Sequence, residues 1–241
     1  MRRALAALPV LLLIGTAAGL DLDAPRPAAP ALDPAAAAYT YTVAPFVAEY
    51  DAPAPGTYSL PVIDRIEDHQ LFDSAAGTTS LAALKGDRLA VVAFVYTTCS
   101  EANGCPLAEA IMHRLDGRIA ADPALAGRVR LLTISFDPER DTPLRMALIR
   151  GAFKPKTDWA FVTTTGDAQL APILADFGQP VSKLYYEDGT WTGLFRHVLK
   201  VFLLDEQNRV RNIYSTGLMS PDLVMNDLRT LAGENGQPVK Q

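Results

Sequence analysis

The hydrophobic pattern falls into two unequal parts. Ala4 to Leu20 is a nearly unbroken apolar run, whereas from about Gly56 short apolar segments alternate with polar turns. In the second part, Leu89-Ala90-Val91-Val92-Ala93-Phe94-Val95-Tyr96 is a continuous run of β-formers, which predicts a central strand buried on both faces. Val129 to Phe136 repeats that pattern, and Trp159 to Thr163 predicts a third strand. Between the first two, Leu107, Ile111, Leu115 and Ile119 mark one face of a helix that Pro106 opens. Asp141-Thr142-Pro143 predicts a second helix start, with Asp or Thr as cap and proline just inside. Asp167 to Phe177 reads as a helix ended by Gly178, and Ser220-Pro221 opens a last helix to about Leu231.

Shorter signals fill the gaps. Ser59 to Ile66 and Gln70 to Phe72 predict strands around the polar turn Glu67-Asp68-His69, and Leu81 to Lys85 a helical turn stopped by Gly86. Leu184 to Tyr186 and Phe195 to Leu204 are expected to flank a hairpin, followed by a strand from Arg209 to Tyr214. Strands alternating with helices, then adjacent strands and a final helix, predict an α/β fold: a central mixed sheet with helices on both faces.

The N-terminal run has a different meaning. Met1-Arg2-Arg3 is a basic start, the apolar run follows, and Thr16-Ala17-Ala18 supplies small residues for cleavage after Ala18. The run also reaches the lower limit of a bilayer-spanning helix, so residues 1–20 read as a signal peptide or an N-terminal membrane anchor. Residues 21–55 are rich in Pro and Ala, as in Ala24-Pro25-Arg26-Pro27-Ala28-Ala29-Pro30, and predict an extended linker. Residues 56–235 form the domain. The expectation is an exported, periplasmic protein, soluble or tethered. Its net charge of −5 and the lack of a basic run argue against nucleic-acid binding.

Candidate chemistry centres on the only two cysteines of the 241 residues, Cys99 and Cys105. They lie directly after the first central strand, with Cys105-Pro106 at a helix start, which is the arrangement expected of a thioredoxin-like fold. Open N–H groups and the helix dipole there favour thiolate at Cys105. Asn103-Gly104 is a turn pair that can bring both sulfurs together. Two thiolates are too few for a closed structural zinc site but suit Cu(I), a soft ion. A third ligand then has to come from His69, His113 or His197. His69 lies in a polar turn and His113 off the apolar stripe of its helix, so both read as solvated. His197, near the start of a strand, reads by itself as a structural histidine, but it is the best remaining candidate.

Three segments resemble the SCO1/SenC family of copper-binding, thioredoxin-like proteins of cytochrome oxidase assembly. Phe94-Val95-Tyr96-Thr97-Thr98-Cys99 through Cys105-Pro106 is similar to that family's strand, cysteine loop and proline. Ile134-Ser135-Phe136-Asp137-Pro138-Glu139-Arg140-Asp141-Thr142-Pro143 resembles its most distinctive motif. His197 stands eight positions before Asp205, the spacing of the family's ligand histidine and aspartate. The resemblance, over roughly residues 56 to 232, implies copper bound by Cys99, Cys105 and His197. In the motif a structural role comes first: Asp141 is expected to cap a helix and Arg140 to pair with a carboxylate, with support of the copper site as the alternative role for Asp137. One departure stands out: five residues separate the cysteines where the family usually has three.

The implied function is a metallochaperone delivering copper to a respiratory oxidase copper-site subunit or another copper acceptor. The alternative is a thiol–disulfide oxidoreductase that uses Cys99 and Cys105 as a redox pair to keep an acceptor's cysteines reduced. Both need a thiol reductant, because an oxidising exterior favours the disulfide. Turnover in the ordinary enzymatic sense is not implied. Neither cysteine sits in a peroxidase signature.

Overall fold

In a computed structural model, the described residues are 50–73, 77–99, 101, 104–215 and 218–234. The run Ala4–Leu20, the Pro/Ala-rich stretch through residue 49, and Ser100, Ala102 and Asn103 of the cysteine loop lie outside them. Among the described residues no helix is long and apolar enough to cross a membrane.

The elements follow the order β1 (Asp64–Arg65), β2 (Gln70–Phe72), β3 (Thr78–Ser80), α1 (Leu81–Lys85), β4 (Leu89–Val95) and α2 (Cys105–Ala121). Then come β5 (Val129–Ser135), α3 (Pro143–Phe153), β6 (Trp159–Val162), α4 (Asp167–Asp176), β7 (Val181–Tyr185) and β8 (Trp191–His197). The chain closes with β9 (Lys200–Leu204), β10 (Arg209–Ser215) and α5 (Pro221–Glu234). Six strands form one mixed sheet in the order β1-β10-β9-β4-β5-β6. β4, β5 and β6 are parallel, whereas β9 runs antiparallel to β4 and β10 antiparallel to β9.

All residues of β4 and β5 are buried, as expected of strands covered on both faces. On one face Val91 and Ala93 pack with α2, α3 and α5 through Ile111, Leu115, Met146 and Leu228. On the other, Ala90, Val92 and Phe94 pack with α1 and α4 through Leu84, Leu170 and Ile173. This is the thioredoxin-like arrangement that the sequence predicts, and it puts the end of β4 and the start of α2 side by side.

Three expectations change. Phe195–Leu204 is not one strand: β8 ends at His197, and after exposed Val198 and buried Leu199 the chain re-enters as β9. β8 pairs with β7 in a separate two-stranded sheet, whereas β9 joins the main one. The reason lies in the pattern, since the residues of β8 are half-buried or exposed and none is fully buried, whereas Val201 to Leu204 are all buried. Ser59–Ile66 shrinks to the two residues of β1, because Pro61 has no N–H to give a ladder. The cap of α3 is Thr142, whose hydroxyl accepts from Arg145 N at 3.3 Å; Asp141 has another task.

Candidate metal centre

Cys99 and Cys105 are both free, with Cys99 9% exposed and Cys105 1%. Cys105 is the first residue of α2, and its sulfur accepts the backbone N–H of Tyr96 at 3.4 Å. Cys99 is held from the strand side by its own N–H, which donates to Tyr96 O at 3.1 Å. The loop returns through Gly104, whose N–H donates to Glu101 O at 2.8 Å. A Cβ at Gly104 would meet Glu101 O at 3.1 Å and Cys99 Sγ at 3.3 Å, so glycine gives the sulfur its space.

His197 is the last residue of β8 rather than the start of a strand. Its ring packs on Phe136 at 4.9 Å and Tyr96 at 6.1 Å, and Phe195 closes the same aromatic wall at 5.0 Å from Tyr96. Behind that wall, Phe136 and Phe195 also line a groove of about 400 Å³ between α4 and β7. His113 is exposed, as expected. His69 is not solvated: its Nε2 lies 2.8 Å from Asp176 Oδ2, with the side chain 15% exposed.

The electrostatics reverse the expected division between the sulfurs. A hydrogen bond from Cys105, with a further one from His197, holds the Cys99 thiol far below its usual range despite burial. Cys105 is pushed far up, first by its bond to charged Cys99 and then by burial. The open helix end does favour a thiolate, but Cys105 is shut off from water and desolvation outweighs that help. Thiolate character therefore sits on Cys99. Burial and a bond to Cys99 also raise Tyr96, so the phenol stays protonated and contributes a donor to the thiolate.

The three predicted donors are linked through Cys99, which interacts with both Cys105 and His197. No group of three or more His, Cys, Asp or Glu side chains among the described residues is already arranged to hold a metal ion. One feature fits a soft cation nonetheless: His197 Nδ1 is buried without a hydrogen-bond partner among the described residues, beside two free thiols. A buried polar atom without a partner is rare and costly. A thiolate, a second thiol and an imidazole nitrogen form a donor set of the kind Cu(I) takes.

The loop after β5 supports both arms. Asp141, fully buried, accepts from Thr97 N at 3.0 Å, from the Thr97 hydroxyl, and from Ser135 Oγ at 2.6 Å. It thus fixes the corner that leads into Cys99 instead of capping α3. Arg140 pairs with buried Asp137, as expected. Sequence reasoning missed Tyr96, Phe195 and Trp191, whose ring packs on Phe195 at 5.4 Å. Tyr96 lies in the continuous apolar run and reads there as core, and nothing in local spacing tells that its hydroxyl meets a residue three positions on.

Comparison with known proteins adds a family to this geometry. Comparison with curated protein sequences gives no match. Copper-bound ScoI from Arabidopsis thaliana superposes with a TM-score of 0.59 at 18% identity, covering 70% of this chain and 98% of that one. A SCO1/SenC family lipoprotein from Bacillus anthracis gives 0.59 at 24% identity, covering 71% and 97%. BsSco, a member of the Sco family of cytochrome c oxidase assembly proteins with an identified disulfide switch, gives 0.56 at 21% identity, covering 73% and 98%. At these identities the likeness is one of fold. The family model described as SCO1/SenC matches residues 63–233, which take in the cysteine loop, the loop after β5 and His197, and so this chain belongs to the SCO1/SenC family.

Proposed function

We propose that the protein is a copper-binding metallochaperone that delivers copper to a respiratory oxidase copper centre through Cys99, Cys105 and His197. The observation that carries this reading is Cys99 interacting with both Cys105 and His197, next to an unpartnered buried imidazole nitrogen. The copper-bound Arabidopsis relative and the oxidase-assembly role of BsSco support it. In this reading Cys99 meets the ion as a thiolate, Cys105 gives up its proton on binding, and the two sulfurs must both be reduced. Transfer proceeds by exchange of ligands with an acceptor, such as an oxidase copper-site subunit. Residues 1–20 export the chain and either leave it soluble in the periplasm or tether it.

An anaerobic Cu(I) titration of the reduced protein against a chromophoric chelator tests the reading. One tightly bound copper per chain, weakened at least tenfold (~1.4 kcal/mol) by His197→Ala, is the expected result. Binding that is indifferent to His197 sinks the three-ligand site.

A second reading is favoured by the unequal sulfurs. Cys99 thiolate attacks a partner disulfide and forms a mixed disulfide, releasing one partner thiolate, which takes up a proton. Cys105 then loses its proton and attacks Cys99 Sγ, releasing the second partner sulfur as a thiol and leaving a Cys99–Cys105 disulfide. A thiol reductant resets the pair. This function needs no His197, so its survival in His197→Ala distinguishes it from the first.

A further inference from the structure

The donor set is split between two sheets. The cysteines follow β4 of the six-stranded sheet, whereas His197 ends β8 of a two-stranded sheet, and no ladder joins the two sheets among the described residues. Main-chain pairing with the main sheet resumes only at β9, three residues after His197, so the β7–β8 hairpin that carries the imidazole is set against the cysteine loop by side chains. Arg140 stands at that junction. Its Nε donates to Asp137, which is 1% exposed, and its Nη2 donates to Gly193 O in β8 at 2.9 Å. The guanidinium lies 4.3 Å over the Trp191 ring and 5.8 Å from that of Phe195. A Cβ on Gly193 would come within 3.3 Å of Arg140 Nη1, so glycine at this place leaves the guanidinium room to sit against the strand.

We propose that Arg140 is a positioning residue that latches the β7–β8 hairpin to the loop after β5 and so holds His197 against Cys99. The inference rests on the reading of Cys99, Cys105 and His197 as one ligand set. The fork and the flat cationic face are both in use, one on a carboxylate and a carbonyl, the other on an indole. Lysine, a point charge on a flexible stem, supplies neither geometry. The adjacent residue of the same loop, Asp141, holds Thr97 two positions before Cys99. One short loop thereby sets the register of both arms, which gives a physical purpose to the densest motif in the sequence.

A double-mutant cycle on the full chain tests this, with Cu(I) affinity measured anaerobically for wild type, Arg140→Ala, Arg140→Lys, His197→Ala and Arg140→Ala/His197→Ala. If Arg140 acts through His197, Arg140→Ala and Arg140→Lys each weaken binding about tenfold in the wild-type background. In the His197→Ala background Arg140→Ala then adds less than about twofold. An equal loss in both backgrounds, or none in the first, overturns the proposal. Arg140→Ala also strips a buried carboxylate of its partner and can unfold the chain, so Trp191→Leu is added, which removes the stack and keeps the ion pair. A metal-free readout accompanies the variants that keep His197: the NMR shifts of its ring protons, which the Phe136 and Tyr96 rings displace. These move toward free-histidine values in Arg140→Lys and in Trp191→Leu while the remaining spectrum is retained; ring shifts unmoved in both overturn the latch. If wild type and His197→Ala bind copper equally, the ligand reading fails by itself, and the ring shifts still decide the latch.

Discussion

At the scale of residues, the two cysteines are chemically unequal because one is charged at the expense of the other. Cys99 carries the thiolate since Cys105 donates to it and His197 stands beside it, whereas Cys105 has the Tyr96 N–H for company and almost no water. A thiol held low stays ionised as pH falls, until the pH passes its folded value. Alkylation of the reduced protein by iodoacetamide at pH 6 is therefore expected to label Cys99 and spare Cys105. Cys105→Ala removes the main cause of the depression, so the pH at which Cys99 starts to react moves up. Peptide mass spectrometry finding the first label on Cys105 would invert the assignment. None of this inequality is visible in sequence, where the helix start argues for Cys105. The balance is decided by desolvation and by contacts from Tyr96 and a strand almost a hundred residues downstream.

At the scale of elements, the turn from β5 into α3 divides two tasks between adjacent residues. Thr142 caps the helix, and Asp141 reaches back across the sheet to Thr97 and Ser135. Thr142→Ala is expected to cost about 1 kcal/mol, the ordinary loss of an N-cap. Asp141→Ala strands a buried N–H and two hydroxyls together, and is expected to cost on the order of 3 kcal/mol. Urea unfolding of both variants ranks them; equal costs would return the cap to Asp141. The residue string Asp-Thr-Pro predicts the helix start but not which side chain caps it, because either oxygen is chemically able and only the position of Thr97 decides. The short hairpin strand β3 was not legible either: Thr78-Thr79-Ser80 has no apolar residue to mark a face.

At the scale of the whole molecule, charge clusters stitch distant parts of the chain. Asp205, 1% exposed, accepts from Arg209 N at 3.0 Å, Arg209 Nε at 2.6 Å and Arg211 Nη1 at 3.1 Å. Arg211 in turn donates from Nε to Leu60 O at 2.9 Å and reaches Glu234 Oε2 at 2.9 Å, joining the β9–β10 turn to the start of the domain and to the end of α5. Burial, the largest single influence on Asp205, pushes its carboxyl up, but the Arg209 N–H and the two guanidinium groups together outweigh it and leave it below its ordinary range. A carboxylate held low stabilises the fold above its unfolded pKa, and that contribution is lost as pH falls through the folded value. Asp205→Asn is accordingly expected to cost on the order of 2 kcal/mol at pH 7. In denaturant melts from pH 7 to pH 2.5 the gap between variant and wild type should narrow steadily; a constant gap would show that the charge has no part in it.

The sequence by itself determined the strands buried on both faces, the apolar face of α2, the helix starts at Pro106, Pro143 and Pro221, and the cysteine pair at the head of a helix. These are local properties, written in runs, periods and caps, and the motif after β5 carried the family resemblance with them. Tertiary structure alone decided that β8 leaves the main sheet, that His69 is taken by Asp176, that Asp141 serves Thr97, and that Arg140 spans to Gly193. It also decided which sulfur bears the charge. Each of those depends on desolvation or on a contact between residues far apart along the chain, and such energies exist only once the chain has folded.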